Sequence, residues 1–289
     1  MIDLGQFADE VGDAGPVSIA GLSTRGGAVP GIRTVSAPAG IDWVQADEMT
    51  ACCGAGTPVD ELAAALAEHG QAVALPPGGS VGGALALGRS DVRRLGWGPV
   101  RDTLLQARYV SAKGSVVRAG GPTVKNVSGF DICRLLVGSR GSLGFFGELI
   151  LRTRPLPACS QWHRLDDVDA RRLDQLFASL YRPTSALWNG STTWVLLEGH
   201  SDDVAEQAAR HRLEPCDSAP PLPSGSRRSI PPADVARLTG SFVAEVGVGI
   251  VHHAEPWEPP QPDARAARLA TALKCQFDPE GRLNPGVCP

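Results

Sequence analysis

The chain has 289 residues, a formal net charge of −4, 43% hydrophobic residues, 34 glycines and 24 prolines. That length can bury a substantial core and suggests two domains, while the acidic balance argues against general nucleic-acid or anionic-membrane binding, which needs a basic field. The glycine and proline content favours loop-rich α+β architecture over a helical bundle, no apolar run approaches the length of a bilayer span, and the acidic, amphipathic start MIDLGQFADEVGDAG reads as neither secretory signal nor transit peptide.

A helix is expected near residues 3–11. A strand at 17–20 should run into the loop Gly21-Leu22-Ser23-Thr24-Arg25-Gly26-Gly27. The N–H groups of this loop can form an anion nest, and Arg25 can add charge to a pyrophosphate. Strands follow at 32–37 and 50–54, then a helix over 58–69 with Thr57 as its cap and Pro58 at its first position. The intervening Gly54-Ala55-Gly56-Thr57-Pro58-Val59 imitates a Rossmann fingerprint. It fails as one because Val59 stands where the third glycine belongs, and Asp60 and Glu61 would oppose a pyrophosphate. A structural capping turn is the better account.

A second glycine-rich loop, Pro76-Pro77-Gly78-Gly79-Ser80-Val81-Gly82-Gly83, opens a short apolar helix at 84–87. Its amides and the helix start behind them make a second offer to an anion. Strands around 103–111 and 115–119 pair as a hairpin turning at Lys113-Gly114. Then comes the most informative stretch of the chain, GPTVKNVSGFDICRLLVGSRGSLGFFGELILRTRP, from Gly121 to Pro155. It reads as a loop, a helix at 131–137, the turn Gly138-Ser139-Arg140-Gly141-Ser142-Leu143-Gly144, and an apolar strand at 145–152 ended by Pro155. Glycines 129, 138, 141 and 144 remove side chains where backbone must approach something flat or anionic.

Beyond residue 158 the character changes. Strands are expected at 161–165, 185–188 and 193–199, and helices at 168–181 and from a Ser201 cap to about 212. A surface loop spans 215–232, a single long strand 242–252, and a helix 263–274; the tail 277–286 is a pair of tight turns. The β-α-β, β-α-β order suggests a split βαβ sandwich.

Seven cysteines, at 52, 53, 133, 159, 216, 275 and 288, include no CxxC pair, so iron–sulfur and zinc-ribbon spacings are missing, and no metal site is expected. Reduced thiols packed as small hydrophobes are the reading. His252-His253 is the only paired histidine. Either imidazole could act as a base, though a structural or solvated role suits them as well; His69, His163, His200 and His211 show no metal-ligand spacing.

The segments Gly98-Pro99-Val100-Arg101-Asp102, Val124-Lys125-Asn126-Val127-Ser128-Gly129-Phe130-Asp131, 136–144 and 277–286, in this order, resemble the PCMH-type flavoprotein superfamily of vanillyl-alcohol oxidase and p-cresol methylhydroxylase. Within that superfamily they are most similar to the smaller FAD-binding subunit of glycolate oxidase complexes. The resemblance covers most of residues 15–155 and returns at 270–286.

It implies an α+β fold: a PCMH-type FAD-binding domain of two α+β subdomains at 1–156, a small ferredoxin-like cap at 157–260, and a C-terminal helix and turn segment at 261–289 packing back on the FAD domain. It further implies non-covalent FAD, held by Gly21, Leu22, Ser23, Thr24, Arg25, Gly26 and Gly27, by Pro76, Gly78, Gly79, Ser80, Val81, Gly82 and Gly83, and by Asn126, Gly129, Phe130, Asp131, Gly141, Leu143, Gly144, Phe145 and Phe146. A cytoplasmic oxidoreductase subunit is expected, brought to the inner face of the membrane by its partners. Those partners would be a larger FAD-containing catalytic subunit and an iron–sulfur subunit, acting on a small 2-hydroxy acid. Two alternatives stay open. One is a self-sufficient FAD-dependent dehydrogenase using His252 or His253; the other is a flavin-free scaffold, suggested by a 77–82 loop shorter than the family's.

Overall fold

The computed structural model describes residues 1–24, 28–122, 131–256 and 263–287. Two compact units divide it. The first comprises residues 1–91 and 99–156 with the C-terminal segment; the second comprises residues 92–98 and 157 onward to that segment.

The chain opens with α1 (Gly5–Val11), β1 (Val17–Ala20), β2 (Arg33–Ser36), β3 (Ile41–Gln45), β4 (Thr50–Gly54), α2 (Val59–Glu68), β5 (Gln71–Val73) and α3 (Val81–Leu87). After the one-turn α4 (Arg94–Trp97) come β6 (Leu104–Val110), β7 (Val116–Gly120), α5 (Ile132–Leu136) and β8 (Phe145–Pro155).

In the first unit β1 and β2 pair in parallel, as a small sheet of their own. The antiparallel sheet runs β3-β4-β8-β6-β7, with β5 paired to the far end of β8. Its central strand β8 is long because FFGELIL is nearly all apolar, and alternation then divides its side chains between the faces. Leu149 and Leu151 meet Ala51, Cys53 and Ala107 on one face, beneath Val59, Leu62 and Leu66 of α2, Val81, Ala84 and Leu85 of α3, and Leu136 of α5. A second core joins Phe7 and Val11 of α1, Val17, Val35, Val110, Phe145 and the C-terminal Leu283. Val17 also bridges Leu283, so the end of the chain closes onto its beginning.

The second unit contains β9 (Cys159–Leu165), α6 (Ala170–Ser179), β10 (Ser185–Trp188), β11 (Thr193–Gly199), α7 (Ser201–His211), β12 (Glu214–Cys216), β13 (Ser226–Ser229), β14 (Phe242–Glu245) and β15 (Ile250–His253). Its sheet order is β12-β9-β11-β10-β14-β15-β13. The first four strands with α6 and α7 make the split βαβ sandwich, and the hairpin β14–β15 with β13 widens it. Val195 and Leu197 pack under α6 and α7 with Leu176, Val204 and Ala208, and Ala186, Trp188, Ala244 and Val251 pack with Leu173. The last helix, α8 (Ala264–Phe277), belongs to the first unit.

Several expectations need correction. Thr57 does not cap α2. Its hydroxyl instead donates to the Gly40 carbonyl (3.1 Å) and accepts from the Gly40 N–H (2.9 Å), and Pro58 is the cap position. Likewise His200, not Ser201, occupies the cap of α7. The stretch 242–252 is two strands, because Gly247 (φ 78°) and Gly249 (φ 77°) take left-handed backbone and turn the chain between them. The 215–232 connection carries β13 and the last residues of β12.

Candidate functional site

Four separate segments of the first unit meet around one cleft: the loop after β1, the start of α3, the turn between α5 and β8, and the C-terminal tail. Ser80 caps α3, its hydroxyl accepting the Gly83 N–H at 3.2 Å, and α3 ends at Gly88 in left-handed backbone. A Cβ at Gly88 would press to 2.8 Å from the Gly138 Cα, so glycine there lets the turn lie against the helix. Two hydrogen bonds fix that docking: the Gly138 N–H donates to the Leu85 carbonyl (3.0 Å) and the Arg140 N–H to the Ala86 carbonyl (2.9 Å).

Asn284 stitches the tail to both neighbours. Its Oδ1 accepts from the Ser18 hydroxyl (3.0 Å) and the Ile19 N–H (3.1 Å), and its Nδ2 donates to the Arg140 carbonyl (2.6 Å). Lys274 of α8 adds three more bonds, to Asp278 (2.6 Å) and to the carbonyls of Ser142 and Leu283 (2.8 Å each).

The cleft has an outer part of about 410 Å³, bounded by Leu22, Ser23, Thr24, Arg89, Arg140 and Asn284 among others. It narrows to a recess of about 60 Å³ walled by Ala37, Ala55, Gly56, Gly82, Gly141 and Phe146, among others. Ile19, Gly21, Ser80, Gly83 and Ala86 border both parts. Glycine and alanine dominate the inner wall, so a flat, elongated group can lie against backbone. A Cβ on Gly21 or Gly83 would crowd the Ser80 hydroxyl at 3.2 and 3.0 Å. Ser23, Thr24, Arg89 and Arg140 border the outer part, polar and cationic residues of the kind that suit the central diphosphate of a dinucleotide. This lining fits an FAD.

The expected cofactor residues divide into groups. Gly21, Leu22, Ser23, Thr24, Ser80, Gly82, Gly83, Gly141, Gly144, Phe145 and Phe146 come together on the cleft. Val81 and Leu143 are side chains of the core beneath it. Pro76, Gly78 and Gly79 precede the cleft-facing end of their loop and do not border either part; the Gly78 N–H is taken by Asp60 (3.0 Å). Asp131 stands away, capping α5 and pairing with Arg134 at 3.1 Å. Arg25, Gly26, Gly27, Asn126, Gly129 and Phe130 lie outside the described residues.

Part of the amide nest expected at 78–83 is used within the fold. The N–H groups of Val81, Gly82 and Ala84 bond to the carbonyls of Thr57, Ala55 and Ser80, and α3 is too short to act as an anion site by itself. Arg89, Arg140 and Asn284 were not among the expected cofactor residues, although Arg140 and Asn284 stand inside the segments 136–144 and 277–286.

The two paired histidines part company on β15. His252 lies 3.0 Å from the Glu245 carboxylate across the β14–β15 hairpin. His253 turns to the opposite face, tilted against Phe242 (ring centroids 6.4 Å), where burial and the Arg228 charge hold its pKa below the ordinary value. On the sheet of the first unit, Asp42, Cys52 and Glu148 bring donor atoms within 4.8 Å of one another. Arg108 already engages Glu148 (3.3 Å), and burial pushes the Cys52 thiol up to about 12, so this cluster is an ion pair beside a protonated thiol.

Comparison with known proteins bears first on the first unit. Residues 14–120 match the family model described as FAD binding domain. Glycolate oxidase subunit GlcE of Escherichia coli is 30% identical over 222 residues, 73% of this chain and 63% of that protein. Residues 14–120 are an FAD-binding domain of the PCMH type. A D-lactate dehydrogenase of Archaeoglobus fulgidus is 36% identical over 141 residues, 47% of this chain and 32% of that enzyme. The chain thus spans about a third of one relative's length and under two thirds of the other's. Among solved structures, an alkyldihydroxyacetonephosphate synthase superposes over 98% of this chain and 72% of its own, with a TM-score of 0.66 and 15% identity, a likeness of fold.

Proposed function

We propose that the chain is the FAD-binding subunit of a glycolate oxidase-like 2-hydroxy-acid dehydrogenase complex, with non-covalent FAD in the cleft between the 21–24 loop, α3 and the 138–144 turn. The observation that carries this reading is the cleft itself. Small residues from distant parts of the chain form its inner wall, and hydroxyls and arginines form its outer end. The likeness to a glycolate oxidase subunit over 73% of the chain supports the choice of complex.

When bound, FAD supplies the two-electron redox chemistry. The polypeptide contributes binding and orientation. Ser80, by capping α3, keeps Gly83 against the cleft, and Asn284 holds the Arg140 turn at its rim. The hydroxyls of Ser23 and Thr24 face the same outer space. The partners in this reading are a larger flavin-containing catalytic subunit and an iron–sulfur subunit, and the substrate is a small 2-hydroxy acid. They would hold the chain at the cytoplasmic face of the membrane; among the described residues no helix is long and apolar enough to cross one.

Co-expression of the tagged chain with its candidate partners tests the assignment. A stable assembly that oxidises glycolate or D-lactate only when all subunits are present is expected. Enzyme-like turnover by the purified chain alone would overturn the accessory role.

One observation favours a second reading, a dehydrogenase acting alone. Glu245 is buried, one of its oxygens faces His252, and the other has no hydrogen-bond partner among the described residues. A carboxylate placed this way can hold an imidazole as a base. If His252→Ala leaves the rate of flavin reduction by glycolate and D-lactate unchanged, this second reading is excluded.

A further inference from the structure

We infer that Arg89 and Arg140 together form a cationic clamp for the diphosphate of the bound dinucleotide, an inference that rests on the FAD reading of the cleft. Both guanidinium-bearing residues border the outer cleft beside the Ser23 and Thr24 hydroxyls. They arise from adjoining backbone. Arg89 directly follows the left-handed cap Gly88, and Gly88 abuts Gly138, two residues before Arg140. The Arg140 N–H is fixed to Ala86 of α3, which also lines the cleft.

No carboxylate or carbonyl among the described residues pairs with the Arg89 or Arg140 guanidinium, whereas Arg108, Arg134, Arg164, Arg210 and Arg237 are each ion-paired. The backbone at Arg140 is also costly for an arginine. Its φ of 53° lies in the left-handed region, where glycine would sit without steric penalty. Gly141 follows at φ 73°, and a Cβ there would crowd Asn284, so the turn is locked from both sides. Ser23 (φ 55°) and Asn284 (φ 43°) border the same outer cleft in the same unusual backbone. Strained residues gather where the surrounding fold fixes a side chain for a task.

Two unpaired guanidinium groups suit a diphosphate because their planar donors meet phosphate oxygens two at a time, and charge assistance strengthens each bond. The reading also accounts for the N–H groups of Gly78, Val81, Gly82 and Gly83 being hydrogen-bonded within the protein: the described part of the cleft offers charge through side chains.

The test is equilibrium binding of FAD to the deflavinated chain, followed by flavin fluorescence at low and high KCl. Arg89→Gln and Arg140→Gln should each weaken FAD binding about 10-fold, and the double variant about 100-fold. Arg89→Lys/Arg140→Lys should recover only part of that loss, because charge is kept but the planar two-donor fork is removed. The salt sensitivity of FAD binding should shrink in the double glutamine variant, since screening acts on the lost pairs. Melting of the apo forms should be unchanged, these side chains having no partner in the described fold. A charge-matched control, Arg171→Gln/Arg210→Gln, should bind FAD as the unaltered chain does. If the unaltered chain binds FAD and the double glutamine variant binds within about 3-fold of it with the same salt dependence, the clamp is refuted alone. If the unaltered chain takes up no FAD, the clamp and the cofactor reading fall together.

Discussion

Replacing Arg282 with methionine removes a buried cation that ties the C-terminal tail to residues 11–15 and to Ala112 of the first unit. Its guanidinium donates to five main-chain carbonyls: Val11 (2.8 Å), Gly12 (2.9 Å), Ala14 (3.0 Å), Gly15 (2.9 Å) and Ala112 (2.7 Å). The residue is only 4% exposed, and its bonds to the Val11 and Ala112 carbonyls are buried from water. A hydrogen bond to a charged group contributes about 1.5–3 kcal/mol, but five bonds to one cation do not add independently. Methionine keeps most of the aliphatic packing and takes this donor from the Gly12, Ala14, Gly15 and Ala112 carbonyls, while Val11 keeps Arg33 (3.1 Å); each buried carbonyl left unsatisfied costs about 1–3 kcal/mol. We therefore expect the first unit to lose about 4 kcal/mol. For a unit of this size that lowers the melting temperature by roughly 8–16 °C. Calorimetry of the apo chain, with Arg265→Met on exposed α8 as control, reads the shift directly. The adjacent Leu283 and Asn284 carry the tail into the core and the cleft, so FAD affinity should fall as well. A stability change below about 1 kcal/mol would refute the latch and with it the argument that the tail shapes the cleft.

Three other outcomes follow from buried groups and tight turns. Burial pushes the thiols of Cys52 and Cys53 up to about 12 and that of Cys133 up to about 11, while Cys275 is exposed. Brief alkylation of the folded chain near pH 8 should therefore label Cys275 before any of those three, as peptide mapping would show. His163 and His253 both have pKa values lowered by burial, so the unfolded chain binds more protons than the folded one below the ordinary value of 6.5. The stability of the second unit should be full above that pH and decline as pH falls through it toward the lower folded-state values, and His163→Gln/His253→Gln should flatten the decline. Gly249→Ala would place a Cβ into the Ile230 carbonyl at a φ of 77°, costing more than about 1 kcal/mol in urea denaturation, whereas Gly281→Ala, with open space around it, should cost less.

Local chemistry made much of this fold legible from sequence. Ser185–Trp188 and Thr193–Gly199 stand where their β-branched and aromatic residues put them, and the Lys113-Gly114 turn joins β6 and β7. The strand β3 went unread because a bulge between Ile41 and Trp43 breaks its alternation and its surface is half exposed. β5 has only three residues and exists because β8 is long enough to pair with it. Across 242–252, Val246, Val248 and Ile250 carry strand propensity, and only backbone sign at Gly247 and Gly249 reveals the reversal. The cleft divides along the same line. Glycines near one another in sequence announced their part of the wall, but Asn284 lies 266 residues from Ser18, and no spacing rule joins them. Arg140 stood in the 138–144 turn, but its pairing with Arg89 depends on α3 and that turn packing together, which no local pattern announces.

The visible absorption spectrum of the chain purified alone, with release and quantitation of cofactor on denaturation, tests the central claim most directly. The account requires a two-banded flavin spectrum and one FAD per chain, freed into the supernatant without covalent attachment. A colourless protein that takes up no added FAD would contradict it.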